Sequence, residues 1–295
     1  MAREYAILGG GVLGLTAALR LAERGQAVVV YEREAEPGGL AAGFPIATGR
    51  DDGVWLEKFY HHLFRTDRAI TRLIEEVGLG AALEWRRPLT VTLRGGQVYQ
   101  LDSPGSVLRF PPLGVPDRLR MAGVLALLKL LPTPAPLEGR MAARWLRATM
   151  GAPAFEAVFE PLFRGKFGAV ADQIALPWFW ARIHDRTAQL GYVRGGFQRF
   201  YNRLAERVRE RGGEVRLATA VRGVEPATGG GFAVTTAPVG AADEAETRRV
   251  ERVISTLPTR LTCQLVPALP AEYRARYEWG QAYGAHCLIL ALDRP

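Results

Sequence analysis

The sequence predicts an α/β fold in which a Rossmann-like dinucleotide-binding domain carries an inserted α+β domain. Three observations support this prediction. Residues 5–32 form a strand, a glycine-rich turn, a helix and a second strand that ends in an acidic residue. Residues 90–190 contain helical and aromatic segments without the strand–helix alternation of a parallel sheet. Glycine-bounded strands and a helix return from Gly195 onward.

The composition is that of a globular protein with about two domains. The chain has 295 residues, of which 48% are hydrophobic and 23% are charged. The net charge is +8, but the arginines are dispersed and no basic run accompanies them, so we expect no nucleic-acid partner. Cys263 and Cys287 are too few for a disulfide framework, which favours a reducing compartment. Residues 1–4 lead directly into an apolar strand and do not resemble a signal peptide, so a cytoplasmic location is expected.

No segment has the roughly 18–20 consecutive apolar residues that a membrane-spanning helix needs. Residues 121–131 come nearest, but they are too few and include Lys129. Docking of this segment on a membrane surface is possible, although a buried helix is favoured. The sequence assigns no oligomeric state.

The glycines after the first strand, Tyr5–Leu8, fit the pattern G-x-G-x-x-G. In this context the first glycine permits a tight turn, the second lets a pyrophosphate approach the backbone, and the third lets helix and strand pack closely. The helix N-terminus adds unpaired N–H groups and the positive end of the helix dipole. The predicted phosphate-binding residues are Gly9, Gly11, Val12, Leu13 and Gly14.

An acidic residue ends the second strand, Val28–Tyr31. Glu32 lies 18 residues after Gly14, a spacing that suits a carboxylate that accepts hydrogen bonds from ribose hydroxyls. Arg33 could favour a 2′-phosphate, but the preceding acid argues against one.

A second glycine pair, Gly38–Gly39, lies six residues after Glu32 and is not part of the NAD fingerprint. With this pair, residues 5–43 resemble the extended motif of the FAD-binding amine oxidase, protoporphyrinogen oxidase and phytoene desaturase superfamily. The resemblance implies that FAD is the cofactor and that the pair lies against its diphosphate. Members often have Arg or Lys after the pair. Leu40 stands there, as in desaturase-like and UDP-galactopyranose mutase-like members.

The resembled families often have an Asp-x-Gly-Gly-His segment near the flavin. Glu57 and His61 keep the spacing from acid to histidine, whereas Phe59 and Tyr60 replace the glycines. The resemblance therefore implies that Tyr60, His61 and His62 are candidates for a position near flavin or substrate, with a structural histidine pair as the alternative. No spaced Cys or His ligands accompany them, so no metal site is predicted. No catalytic residue is assigned.

The middle of the chain is predicted to be helical. A helix at residues 66–77 and a hairpin at 89–101 precede this block. Helices are predicted at residues 119–131, 138–150 and 153–164. Trp178 and Trp180 either line an apolar substrate pocket or pack between domains.

The last part of the chain resembles the segment with which the superfamily returns to its cofactor domain. A helix at 197–208 and a strand at 214–217 precede Val221 and Val224, which match the pattern Val-x-x-Val. In relatives the first valine contacts the adenosine end of FAD through its backbone, and strand packing is the alternative. Residues 252–258 resemble a buried strand that ends near the cofactor, and residues 288–295 are predicted to form a further strand.

We therefore predict an FAD-binding domain at residues 1–88 and 191–262 and a substrate-binding domain at 89–190 and 263–295, incomplete at its C-terminus because the resembled families are longer. The predicted function is an FAD-dependent oxidoreductase that removes hydride equivalents from a small organic substrate, such as an amine, a porphyrinogen or a polyene. A UDP-sugar mutase-like enzyme and an FAD-binding fragment without activity are the alternatives.

Overall fold

The computed structural model describes residues 3–46, 53–277, 284 and 286–290. The chain forms two compact units. Unit 1 comprises residues 1–61, 69–84 and 192–295. Unit 2 comprises residues 62–68 and 85–191.

The strands are short and are numbered in chain order. They are β1 (Glu4–Leu8), β2 (Ala27–Tyr31), β3 (Gly43–Ile46), β4 (Val54–Glu57), β5 (Leu63–Phe64), β6 (Leu83–Arg86), β7 (Val91–Arg94), β8 (Gln97–Gln100), β9 (Leu190–Val193), β10 (Glu214–Arg216), β11 (Thr219–Pro226), β12 (Phe232–Pro238), β13 (Glu246–Val250) and β14 (Arg252–Ser255).

The helices are numbered in the same way. They are α1 (Val12–Ala22), α2 (Arg68–Glu76), α3 (Pro104–Leu108), α4 (Val115–Leu130), α5 (Ala142–Met150), α6 (Ala152–Ala154), α7 (Glu160–Phe167), α8 (Leu176–His184), α9 (Gln198–Glu210), α10 (Thr259–Leu265) and α11 (Ala271–Tyr277).

Unit 1 contains a parallel sheet with the strand order β10-β2-β1-β14. Its central strands are buried on both faces, which explains the uninterrupted apolar runs. Because the strands are parallel, their carboxyl ends lie at one edge of the sheet. Gly9, Glu32 and Thr256 follow β1, β2 and β14 at this edge, so the fold confirms the predicted Rossmann-like unit.

Helices α1 and α9 contact each other beside this sheet. Leu15 and Leu19 lie one turn apart on the buried face of α1, and Leu204 and Val208 have the same spacing on α9. A second, antiparallel sheet with the order β11-β12-β13 contributes to the core that contains β1 and β2.

Unit 2 is largely helical around a core of its own, formed mainly by α4, α5, α7 and α8. Phe163 lies near its centre and makes edge-to-face contacts with the rings of Phe155, Phe179 and Trp178. The predicted hairpin is present as β7 and β8, with Leu93 opposite Val98.

Two helix predictions need correction. The helix predicted at 138–150 begins only at Ala142, because Gly139 adopts a φ of +70° in the preceding turn. The helix predicted at 153–164 is divided into α6, a π-type turn at Phe155–Phe159, and α7. Pro161 has no backbone N–H, so a regular helix cannot continue through it without losing a hydrogen bond.

The boundaries of the two compact units also differ from the predicted domain boundaries. Residues 263–277, assigned to the substrate-binding domain from the sequence, group with unit 1, where α10 follows β14 directly and buries Cys263. The final strand was predicted at 288–295. Residues 288–290 are not in a strand, and 291–295 lie outside the described residues.

The segment at 121–131 is only half-buried. Met121 and Leu128 are in the core of unit 2, whereas Leu127 and Leu130 are exposed. Among the described residues, no helix is both long and apolar enough to cross a membrane. Trp178 packs on Phe167, with ring centroids 4.9 Å apart, and the indole N–H of Trp180 donates to the carbonyl of Leu131 at 3.0 Å.

Candidate cofactor site

The first glycine turn, residues 9–14, connects β1 to α1 in a very small space. A Cβ atom at Gly14 would lie only 2.0 Å from the carbonyl oxygen of Gly9. A Cβ atom at Gly9, whose φ is +105°, would lie 2.8 Å from the hydroxyl oxygen of Thr256. Close packing of helix and strand therefore excludes a side chain at Gly14, as predicted for the third glycine, and the positive φ of Gly9 fits the tight turn predicted for the first.

Gly11 is different, because no packing contact requires a glycine there. A Cβ atom at Gly11 would have the Cα atom of Gly39, 4.0 Å away, as its nearest neighbour. Gly11 is the N-cap of α1, has extended backbone, and provides no side-chain cap. Its side-chain position therefore faces open space at the helix N-terminus.

The N-terminal turn of α1 begins with Val12 and Leu13 and contains no acidic residue. The side chain of Leu13 points away from the protein and is 66% exposed. No side chain caps the first N–H groups of this helix, and the helix dipole is directed at the same place. This is the environment that an anionic group such as a phosphate prefers.

The Glu32 carboxylate lies beside the same turn and is 8% exposed. One oxygen accepts a hydrogen bond from the N–H of Gly10 at 2.7 Å, and the other accepts from the N–H of Glu34 at 2.9 Å. These bonds fix the carboxylate and leave further lone pairs for a diol. The Arg33 side chain is exposed and pairs with Glu34 at 2.9 Å.

The second glycine segment, residues 37–43, lies directly against the first glycine turn. The N–H of Gly38 donates to the carbonyl of Gly10 at 2.9 Å. A Cβ atom at Gly39 would lie 3.3 Å from the Cα atom of Gly11. We call the backbone surface formed by Gly11, Gly39 and the N-terminus of α1 the cradle. Leu40, beside it, is 87% exposed.

Val221 is half-buried on β11 and packs against the core that contains Tyr31. The start of β11 is held to the end of β2, since the N–H of Thr219 donates to the carbonyl of Glu32 at 2.8 Å. Val221, predicted to contact the adenosine end of FAD, thus lies on the strand whose first residue is hydrogen-bonded to Glu32.

The aromatic–histidine segment divides between the two units. In unit 1 the hydroxyl of Tyr60 lies 3.3 Å from that of Tyr192, and burial together with this contact raises the pKa of Tyr192 to about 12. Nδ1 of His61 lies 2.6 Å from the carbonyl oxygen of Phe59. His62 belongs to unit 2, where its ring contacts Phe64 edge-on at 5.0 Å. In the described part of the chain no group of acidic, His or Cys residues could hold a metal ion.

The family model described as flavin containing amine oxidoreductase matches residues 14–295. The chain belongs to this family. Membership confirms the predicted resemblance and the predicted cofactor, because FAD is the cofactor that the family implies.

Individual relatives match over shorter stretches. The chain is 34% identical over 112 residues to a carotenoid phi-ring synthase of Streptomyces griseus. The aligned stretch covers 38% of this chain and 21% of that protein. It is 30% identical over 125 residues to a 15-cis-phytoene desaturase of Synechococcus elongatus, or 42% of this chain and 24% of that protein. The matches thus span about a fifth to a quarter of these curated relatives.

A solved oxidoreductase from Methanosarcina mazei shares the fold, with a TM-score of 0.67 and 20% identity. The likeness covers 93% of this chain and 64% of that chain.

The cradle fits the diphosphate of FAD on structural grounds. A side chain at Gly11 would occupy space that the protein itself leaves open, and the surrounding groups are backbone donors that suit an anion.

One residue at this site, Gln198, was not predicted from the sequence. Gln198, fully buried at the start of α9, donates to the carbonyl of Pro37 at 2.7 Å and accepts from the N–H of Gly43 at 2.9 Å. Its only sequence signal is a polar residue on an otherwise apolar helix face.

Proposed function

We propose that this chain binds FAD at the cradle and that it is part of an FAD-dependent oxidoreductase, which removes hydride equivalents from a small organic substrate. The diphosphate would lie at Gly11, Gly39 and the first turn of α1. Glu32 would accept hydrogen bonds from ribose hydroxyls, and Val221 would lie toward the adenosine end. A cytoplasmic location, with which the low cysteine content agrees, is part of the proposal.

One observation carries the cofactor assignment. Gly11 is the position in the first glycine turn where the structure leaves room for a side chain, although the sequence has none. A glycine that internal packing does not require is explained by a ligand that needs close approach to the backbone.

Bound FAD would supply the two-electron redox chemistry, and the protein would supply binding, orientation and the surrounding charges. Tyr60, His61 and His62 remain candidates for positions near flavin or substrate. The contact between the hydroxyls of Tyr60 and Tyr192 supports a role for Tyr60, since it places two phenols, each able to donate or accept a hydrogen bond, side by side in this segment.

Among the predicted substrate classes we propose a polyene first, because both curated relatives are named for carotenoid chemistry. Amines and porphyrinogens follow as the other substrates of this reaction type. Since the chain covers only part of each relative, the substrate class belongs to the proposal.

The test begins with the absorption spectrum of the purified protein, with and without added FAD. A bound flavin spectrum is expected, and its bleaching under anaerobic conditions by a polyene, an amine or a porphyrinogen would identify the class. Failure to take up FAD would reject the proposal. Interconversion of UDP-galactopyranose without net oxidation would replace the oxidoreductase with a mutase-like enzyme.

A further inference from the structure

Gln198 is a fully buried polar residue whose side chain satisfies three hydrogen-bonding groups. Besides its bonds to Gly43 and Pro37, its Nε2 donates to Oδ1 of Asn202 at 2.8 Å. Both N–H groups of the amide are thus used on acceptors, which fixes the orientation of the oxygen toward Gly43.

The two backbone partners lie at opposite ends of the second glycine segment. One side chain therefore closes residues 37–43 into a loop, with the glycine pair between the two points of attachment. Within this loop, the N–H of Gly38 donates to the carbonyl of Gly10, which brings the segment against the first glycine turn. Helix α9 supports the same loop at Tyr201, whose ring would be 2.8 Å from a Cβ atom at Gly38.

Glutamine is specifically suited to this position. The Pro37 carbonyl needs a donor and the Gly43 N–H needs an acceptor, so the side chain must present both at similar reach. Glutamate lacks the donor, and methionine, which has a similar length, lacks both. Loss of either bond leaves a buried backbone group without its partner, which is costly.

We infer that Gln198 is a positioning residue, which holds the second glycine segment in the shape that accepts the FAD diphosphate without touching the cofactor itself. This inference rests on the proposed function, because it takes the cradle as the FAD site. It assigns to α9 the task of shaping the cradle through the second glycine segment.

The test compares Gln198→Met and Gln198→Glu with Leu204→Ala, a control that opens a cavity in the buried face of the same helix away from the loop. FAD affinity is measured by flavin fluorescence, thermal stability by calorimetry, and exchange of the Gly38 amide proton by NMR of cofactor-free protein. The Gly38 amide is informative because it does not bond to Gln198. We expect both Gln198 variants to weaken FAD binding by about 10-fold or more and to speed Gly38 exchange by a similar factor.

At temperatures where all variants are folded, Leu204→Ala should lower the melting temperature and leave FAD affinity within about two-fold of the unsubstituted protein. Equal losses of affinity in Leu204→Ala and the Gln198 variants would overturn the inference, since Gln198 would then support only general stability. If Gln198→Met does not fold, Asn202→Ala replaces it. This change removes the group that orients the amide, and a milder loss of affinity with faster Gly38 exchange is expected.

The outcomes separate this inference from the proposed function. If the unsubstituted protein does not bind FAD but Gln198→Met speeds Gly38 exchange, the cofactor proposal fails and the loop-holding role stands. If FAD binds equally to all variants, the cofactor proposal stands and the positioning role is rejected.

Discussion

The first glycine turn has an inner side, which faces the protein, and an outer side, which faces open space. Both sides carry glycine, but for opposite reasons. On the inner side, Gly9 and Gly14 face protein atoms so close that a Cβ atom would lie 2.8 Å or 2.0 Å from them. On the outer side, Gly11 faces open space, and its nearest neighbour would be 4.0 Å away. The same motif therefore contains packing glycines and a ligand glycine.

This difference separates stability from binding. Substitution on the inner side should damage the fold, and cofactor binding only as a consequence. Substitution on the outer side should damage binding alone. The effect of substitutions on the stability of the cofactor-free protein should therefore be largest on the inner side and smallest on the outer side.

Gly14→Ala should have the largest effect. The new Cβ atom would meet the Gly9 carbonyl oxygen, a backbone atom that can move only with β1 or α1. We expect a loss of about 3 kcal/mol or more in the free energy of unfolding, at the upper end of overpacking. Urea denaturation of cofactor-free protein measures it, and a change below about 1 kcal/mol would contradict the inner-side assignment.

Glu32→Gln should have the next largest effect, because the buried Glu32 carboxylate both accepts backbone hydrogen bonds in the protein and lies beside the proposed cofactor site. The amide replaces one of two acceptors by a donor that would face the N–H of Gly10 or Glu34. We expect a loss of about 1–3 kcal/mol together with weaker FAD binding. Glu34→Gln, at an exposed side chain, is the matched control and should change stability by less than about 0.5 kcal/mol.

The sequence predicted the first glycine turn well because its requirements are local. Turn, helix start and acid all lie within residues 9–32, and each residue type is tied to a backbone need. The same is true of the hairpin formed by β7 and β8. The division of the helix near Pro161 is a different case. A proline in a helical pattern predicts a disturbed hydrogen-bond ladder, but the prediction of one helix at 153–164 did not take this into account and was wrong.

Gln198 could not be predicted in this way, because it lies 155 residues from Gly43 in the chain. Local pattern carries no information about such a pairing, and a lone glutamine on a helix is usually solvated. The adjacent residues His61 and His62 show the same limit, since the boundary between the compact units falls between them. Their adjacency in the sequence predicts one cluster, whereas the fold assigns them to different units.

Tyr201→Phe tests whether α9 supports the second glycine segment with a ring or a hydroxyl. Burial, with a smaller contribution from the Glu57 carboxylate, raises the pKa of the Tyr201 phenol above its ordinary value. The unfolded chain therefore loses this proton first, and stability falls as the pH rises above about 10.

The phenylalanine variant lacks this titration, so its free energy of unfolding should fall less steeply between about pH 10 and 12. At neutral pH, FAD affinity should be unchanged because the ring still packs against Gly38. Denaturation midpoints across this pH range provide the measurement. Parallel profiles for the two proteins would show that the Tyr201 phenol does not cause the fall in stability at high pH.

Gly11→Asp should have the smallest effect on stability, and of the opposite sign. Aspartate is a preferred N-cap, and its charge complements the helix dipole, so we expect a gain of a few tenths of a kcal/mol. The same carboxylate would occupy the open side of the cradle, use the N–H groups offered to a phosphate, and repel the diphosphate. FAD affinity should fall by about 100-fold or more, an electrostatic and steric loss of about 3 kcal/mol.

Gly123→Asp, at an open position of α4 in unit 2, is the matched control and should leave FAD affinity unchanged. A Gly11→Asp protein that folds as stably as the unsubstituted protein but cannot bind FAD would show that this glycine serves the ligand. Loss of stability comparable to that of Gly14→Ala would instead place Gly11 among the packing glycines, and the cradle would then lose the observation on which its assignment depends.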